Sequence, residues 1–405
     1  MKIAVFTDLY LDIAGGIPSS VKAQKESLEK LGHKVVIFCP GKKQPNDEMV
    51  VLVPTLDKFR IEGAPMAAMP DQVEKFVLEK FPDFRTFDVV HVHHEAECGI
   101  AGMRLARKFG IPLVVTMHGR EDMAIAVNVP HPLKNMTAKT LNKMHAKYIP
   151  HRAKVPIDDY LADTRAKAEM WEMMVSHANY ADIVLVPGMH FAKKLKKYGM
   201  IKPTVHLSNG ISDSVCEMKV KPRKYDRREP LKIVWNSRLS KEKRILEFLE
   251  ALKQVKGRYE VHVFGAGNQE KEAREYAAKN QLKVRFYGSV EREKIFQTMK
   301  DAHLSVMASY NFDNQAMTLL EARALGLPVM FCDPDMKEIF QEGSYICAKN
   351  ETPEAMAEAI NGIYRDPEWV EKASKIMIAG RGAVAQSEQT KKLIKIYQQA
   401  IKMRG

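Results

Sequence analysis

The chain carries five cysteines in 405 residues (Cys39, Cys98, Cys216, Cys332 and Cys347), and none forms a CxxC pair. That scatter argues against a disulfide framework and for reduced thiols in a cytoplasmic setting. No uninterrupted apolar run approaches the ~20 residues that span a bilayer, so any membrane contact is expected to be peripheral, on the inner face of the plasma membrane. The start, MKIAVFTDLYL, does not read as a secretory signal, because Asp8 interrupts it and no small-residue cleavage site follows. Low-complexity tracts are absent. So are zinc-finger spacing, an RNP-type aromatic motif and an isolated basic tail, which sets nucleic acid aside as a partner.

What is present is a folded composition, 45% hydrophobic and 28% charged. The length is too great for one ordinary core and predicts two domains of roughly 200 residues each. Lys and Arg total 63 against 50 Asp and Glu, a net charge of +13. With nucleic acid set aside, a phosphorylated substrate or an anionic membrane surface answers that charge.

Short apolar runs alternate with helical stretches. Lys2–Thr7, Lys34–Cys39, Val89–His93, Leu113–Met117, Ile183–Val186 and Thr204–Leu207 read as buried parallel strands, with helices over Ser19–Leu31 and Ile100–Phe109. Residues 130 to 180 break the rhythm and are helix-rich, basic and punctuated by Pro130, Pro132, Pro150 and Pro156. Lys219–Pro230 is polar and bracketed by prolines. The rhythm then restarts with Leu231–Asn236, Glu260–Phe264, Lys283–Tyr287, Leu304–Ala308 and Val329–Cys332. The expected division is a doubly wound α/β domain over 1–207, a linker over 208–230 and a second such domain over 231–384. A terminal helix within 385–405 can fold back on the first domain. In open α/β sheets ligands sit at the carboxyl ends of the strands, so both domains are expected to face a central cleft.

Several residues fall where chemistry is done in such sheets. Gly15-Gly16, between the first strand and the first helix, lets backbone approach a phosphate, and reads equally as an ordinary βα turn. His91, His93, His94 and Glu95 in HVHHE lack a remote partner for a metal site, so hydrogen-bonded imidazoles at a strand end are the simpler reading. His118, just past a strand, suits a sugar hydroxyl or carbonyl, and suits a structural role as well. Arg238 and Lys243, between a strand end and the next helix, can neutralise a diphosphate leaving group. Gly265 and Gly267 form a lone GxG after a strand, a turn by default and a nucleotide approach if functional. In SYNFDNQAMTLLEARALGLPV, Asp313 precedes Glu321 by eight positions. The polar loop between them leads to a helix start whose N–H groups suit an anionic ligand with hydroxyls beside it.

Together these segments resemble the retaining nucleotide-sugar glycosyltransferases of family 4, which have the α/β GT-B fold of two Rossmann-like domains. The resemblance runs through TDLYLDIAGGIPSS, GIPLVVTMHGRED, ADIVLVPG, VHLSNGI, NSRLSKEK, FGAG and TLLEARALGLPV. The first half is similar to the branch that glucosylates diacylglycerol in bacterial membranes. The resemblance implies that Gly16 approaches the donor phosphate, that His118 lies near the transferred sugar and that Arg238 and Lys243 bind the diphosphate. It implies that Glu321 holds the ribose hydroxyls and that the N–H groups about Ala316, Met317 and Thr318 cap the diphosphate. Asp313 takes the place of the first glutamate of an E-x7-E motif and is expected to contact the sugar. Two departures stand out: that acid is one methylene shorter, and DNQAM replaces a glycine-rich loop.

The implied activity is transfer of a hexose, glucose first, from a UDP-sugar to a lipid or glycolipid, by front-face substitution with no metal or other cofactor. A soluble sugar, a cell-wall polymer or a protein is the alternative acceptor, and a catalytically decayed partner protein the alternative class. Two basic helices, Met189–Tyr198 with Phe191, Leu195 and Tyr198 on one face and Thr140–Tyr148 with Leu141, Met144 and Tyr148, suit an anionic lipid surface. Each reads equally as a helix packed on its own sheet.

Overall fold

The computed structural model describes residues 1–10, 15–61, 64–151 and 153–404, so residues 11–14 of the first quoted motif lie outside the described residues. The chain divides into two compact units, residues 1–210 with 389–405 and residues 211–388.

The first unit contains β1 (Lys2–Phe6), β2 (Lys34–Cys39), β3 (Val50–Leu52), β4 (Thr55–Ile61), β5 (Ala64–Ala67), β6 (Val89–Val92), β7 (Leu113–Thr116), β8 (Ile183–Val186) and β9 (Thr204–His206). Seven of these form a sheet in the order β3-β2-β1-β6-β7-β8-β9, while β4 and β5 pair separately as an antiparallel ribbon. Every pairing in the large sheet is parallel. A parallel sheet is covered on both faces, which is why β1, β6, β7 and β8 are apolar runs without alternation and why these strands are buried along nearly their whole length. The helix Gln386–Lys402 closes one face: Leu393, Ile396, Tyr397 and Ala400 pack with Ile3, Val5, Val35 and Ile37.

The region that broke the rhythm holds the helices Lys134–Tyr148 and Arg165–Tyr180. The second is capped by Thr164, whose side chain accepts from the Lys167 N–H at 3.3 Å, and is enclosed on nearly all sides from Ala166 to Ala178. The lysine-rich helix Met189–Lys197 corrects the expectation of a lipid-facing stripe. Phe191 and Leu195 are fully buried and Tyr198 is 7% exposed, so this apolar face is already covered by the protein's own core. On Lys134–Tyr148 the same holds in part: Tyr148 is buried, and Leu141 packs with Ile125, Ala138 and Met170. Among the described residues no helix is long and apolar enough to cross a membrane.

The second unit contains β10 (Leu231–Asn236), β11 (Tyr259–Phe264), β12 (Val284–Gly288), β13 (Leu304–Met307), β14 (Val329–Phe331) and β15 (Tyr345–Cys347), all parallel, in the order β12-β11-β10-β13-β14-β15. Both large sheets reverse their winding beside their first strand, at β1/β6 and β10/β13, and such a switch point is where ligands bind. The charged segment 219–230 is built into this unit. Arg223 is 7% exposed and donates to the carbonyls of Gly326 (2.6 Å) and Met299 (3.0 Å), and Tyr225 joins the core. Composition suggested a loose connection because a buried arginine and an exposed one look alike in sequence.

Candidate active site

The β10/β13 switch point gathers most of the sequence-predicted donor residues. β10 ends at Asn236, and the loop beyond it carries Arg238 before a short turn over Lys241–Lys243. Arg244 follows in the left-handed region (φ 64°), which a non-glycine residue adopts at a cost of about 1–2 kcal/mol. That residue turns the chain into the helix Ile245–Leu252 and leaves Lys243 at the strand ends. There Lys243 Nζ donates to Asp313 Oδ1 at 2.6 Å and lies 5.0 Å from the centre of the Phe312 ring. Ser309 Oγ donates to Asp313 Oδ2 at 2.6 Å. Burial pushes the Asp313 carboxyl up. The charge and hydrogen bond of Lys243, the Ser309 hydroxyl and the charge of Arg238 outweigh it and hold the group below the ordinary carboxylate range. Arg238 is half exposed and reaches Glu242 at 3.2 Å.

The second acid sits deeper. Glu321, 3% exposed, lies on the helix Met317–Ala324 and accepts from Asn236 Nδ2 at 2.9 Å and Arg292 Nη2 at 2.6 Å. Burial raises its carboxyl, and Arg292 and Asn236 offset only part of that rise. Ala316 precedes this helix with no side-chain cap, so the N–H groups of Met317 and Thr318 open it as free ends do.

Two expectations change in detail. DNQAM needs no glycine: Asp313 to Met317 all take negative φ, and the left-handed residue of the loop is Asn311 (φ 51°), pinned by its N–H to Asp333 Oδ2 at 2.7 Å. Gly265 and Gly267 serve packing first. Gly265 has φ 118° and an added Cβ would lie 2.1 Å from the Ser237 carbonyl oxygen; at Gly267 it would lie 2.2 Å from that of Leu239. The two glycines thus let the loop after β11 clasp the loop that carries Arg238, with Leu239 N donating to the Ala266 carbonyl at 3.0 Å.

His118 and Gly16 belong to the first unit. The helix there starts at Gly16, three residues earlier than its periodicity indicated, with Gly15 extended at its N-cap. Among the described residues a Cβ at Gly15 would meet nothing nearer than Pro18 Cδ at 3.6 Å. His118 Nε2 and His93 Nδ1 share a hydrogen bond of 2.8 Å across stacked rings. His91 is bonded at both ring nitrogens, to the Tyr397 hydroxyl and to Thr116 Oγ1, each at 2.7 Å. His94 Nδ1 meets Thr7 Oγ1 at 3.2 Å. Burial, then the neighbouring His94 and His91, hold His118 well below the usual imidazole range; burial alone takes His91 down to about 3. These rings are neutral hydrogen-bonding groups at physiological pH. Among the described residues no three His, Cys, Asp or Glu side chains converge to hold a metal ion.

Asn236, Ser309 and Arg292 were not singled out by sequence. Asn236 and Ser309 are polar residues at or just past the ends of buried strands, a signal available beforehand; Arg292 opens the helix Arg292–Asp301 and is joined to the site only in three dimensions.

Family models match almost the whole chain in two pieces. Glycosyltransferase Family 4 matches residues 14–215 and Glycosyl transferases group 1 matches residues 218–382. The chain belongs to the GT-B glycosyltransferases. This glycosyltransferase is 24% identical over 366 residues to alpha-monoglucosyldiacylglycerol synthase of Acholeplasma laidlawii, covering 84% of the chain and 83% of that enzyme. Among solved structures it superposes on Anabaena HepE in complex with UDP and glucose, with a TM-score of 0.69, 13% identity and coverage of 98% and 100% of the two chains. It also superposes on sucrose-phosphate synthase from Thermosynechococcus elongatus, with a TM-score of 0.69, 16% identity and 99% of both chains. At those identities the structural likenesses establish the GT-B fold of the glycosyltransferase.

Proposed function

We propose that this glycosyltransferase moves glucose, with retention, from UDP-glucose to a lipid hydroxyl such as that of diacylglycerol. The observation that carries the reading is the juxtaposition at one switch point of Arg238 and Lys243, cations for a pyrophosphate, with Glu321, an acid for the ribose hydroxyls. The named activity of the Acholeplasma relative supports glucose and the lipid, and the UDP bound to HepE supports the nucleotide. As the glycosidic bond breaks, charge builds on the β-phosphate, and two preplaced cations stabilise it; losing one costs a few kcal/mol of transition-state stabilisation. The leaving phosphate oxygen takes the proton of the attacking hydroxyl on the same face. His118, neutral and stacked on His93, is the histidine this reading assigns to the sugar.

For a lipid acceptor the surface that meets the bilayer is that of Leu133 and Met136, 45% and 61% exposed, beside the exposed Lys139 and Lys143. A soluble acceptor is the second reading. The burial of the Met189–Lys197 stripe and the fold shared with sucrose-phosphate synthase favour it. Purified protein given UDP-glucose, UDP-galactose or GDP-mannose, with diacylglycerol vesicles or soluble sugars, separates the readings. UDP-glucose with vesicles is expected to yield an α-glucosyl lipid by NMR, lost with Arg238→Ala. Turnover confined to soluble sugars replaces the acceptor, and absence of turnover with every donor overturns the assignment.

A further inference from the structure

Three cations at the β10/β13 switch point are held by carboxylates: Arg238 by Glu242 at 3.2 Å, Arg292 by Glu321 at 2.6 Å and Lys243 by Asp313 at 2.6 Å. The third pair is the most enclosed on both sides, with side-chain exposures of 13% and 16%. A sugar contact and a brace make different demands on Asp313. A sugar contact needs carboxylate lone pairs turned toward the ligand. Here one oxygen takes the ammonium and the other takes the Ser309 hydroxyl, so the carboxylate plane is fixed from both ends. The side chain is also one methylene shorter than glutamate and reaches less far from its loop.

Lysine has the opposite problem. Its four-carbon stem carries rotamer freedom that must be lost before Nζ sits still against a phosphate. Asp313 and the Phe312 ring remove that freedom in advance, and one bond to Asp313 leaves two of the three ammonium N–H donors for a ligand. Protein kinases use the same arrangement, a phosphate-contacting lysine oriented by a carboxylate from another element.

We propose that Asp313 is a positioning residue for Lys243, with Ser309 and Phe312 completing the brace, and that it acts on the donor through that lysine instead of through the transferred sugar. This rests on the reading of Lys243 as a diphosphate-binding group. The test compares the parent protein, Lys243→Met, Asp313→Asn and the double variant, measuring UDP affinity by calorimetry and UDP release from UDP-glucose. Lys243→Met is expected to weaken UDP binding and to cut turnover by about a hundredfold. Asp313→Asn keeps the shape and one acceptor oxygen for a sugar while removing the charge that holds the ammonium. It is expected to lower turnover by about tenfold when Lys243 is present, and by less than about twofold when residue 243 is methionine, because coupled residues are not additive. Ser309→Ala, which leaves both charges in place, gives a smaller loss that also vanishes beside Lys243→Met and serves if Asp313→Asn folds poorly. Equal losses in both backgrounds overturn the proposal while leaving the donor site standing. Unchanged UDP affinity and turnover in Lys243→Met overturn both.

Discussion

An alanine at position 265 must take φ near 118° and place its Cβ 2.1 Å from a backbone oxygen. Neither is met by a side-chain rotation, so the two loops that clasp there must separate. Gly265→Ala is therefore expected to destabilise the protein by about 2–3 kcal/mol and to weaken UDP binding by displacing Arg238. Calorimetric melting and UDP titration read the two effects, and an unchanged melt argues that the loops are not clasped. In sequence this glycine was half of a lone GxG with a turn as its default, and its role was visible only once β10 and β11 lay side by side. Arg238 and Lys243 stood out as charged residues just past a buried parallel strand; Glu321 stood out as an acid opening an apolar run, whereas the helix starts four residues earlier, at Met317. Ser309 was passed over as loop, and Arg292 meets Glu321 from a separate helix across 29 positions that no local pattern links.

At the scale of elements, strands were legible and helix faces were not. β1, β2, β6, β7, β8, β10, β11, β13 and β14 are apolar runs whose burial follows from parallel pairing. The three-residue β3 and β15 and the ribbon β4–β5 carry no such signature. The helix Met189–Lys197 shows why faces mislead: a basic amphipathic pattern is the same whether its apolar side meets lipid or protein. Here Phe191 lies 6.0 Å from the Trp171 ring, with no exposure. Phe191→Ala is expected to cost about 3–5 kcal/mol by leaving a cavity, while charge reversal of the exposed Lys193 and Lys196 changes stability by under about 0.5 kcal/mol. Chemical denaturation measures both, and a Phe191→Ala cost below about 1 kcal/mol contradicts a packed stripe.

At the scale of the molecule, the first unit concentrates buried imidazoles. His91 and His177 are each taken down to about 3 by burial and His94 to about 4; burial also holds His93, His118 and His145 well below the usual imidazole range. All are neutral in the fold, whereas an unfolded histidine protonates near 6.5. Their contribution to stability is thus complete above pH 6.5 and is lost as pH falls toward 3. Asp8, raised to about 7 by burial and then by Glu97, and Glu95, raised by burial and then by Glu121, act in the opposite sense: their contribution is present at low pH and is lost as pH rises through their folded values. With His33 and His151 also lowered and Glu74 and Glu97 also raised, eight histidines stand against four carboxyls and leave acidification unfavourable. The first unit is expected to lose stability between pH 6.5 and 5 more steeply than the second. Trp171 is its sole tryptophan, so a protein with Trp235 and Trp369 replaced by phenylalanine reports on it by fluorescence.

The Tyr397 hydroxyl on His91 has a consequence for biosynthesis. One body is assembled from two separated stretches of sequence, and the other is spliced between them. A ribosome delivers β1 through β9, then every residue from 211 to 388, and only afterwards the phenol and the apolar residues that roof Ile3 and Val35. Until then the nascent first body keeps a bare flank and an imidazole lacking one mate, so the inserted body has the opportunity to fold before its host is finished. Truncation ahead of residue 389 spares Arg238, Lys243 and Glu321 and still strands the host.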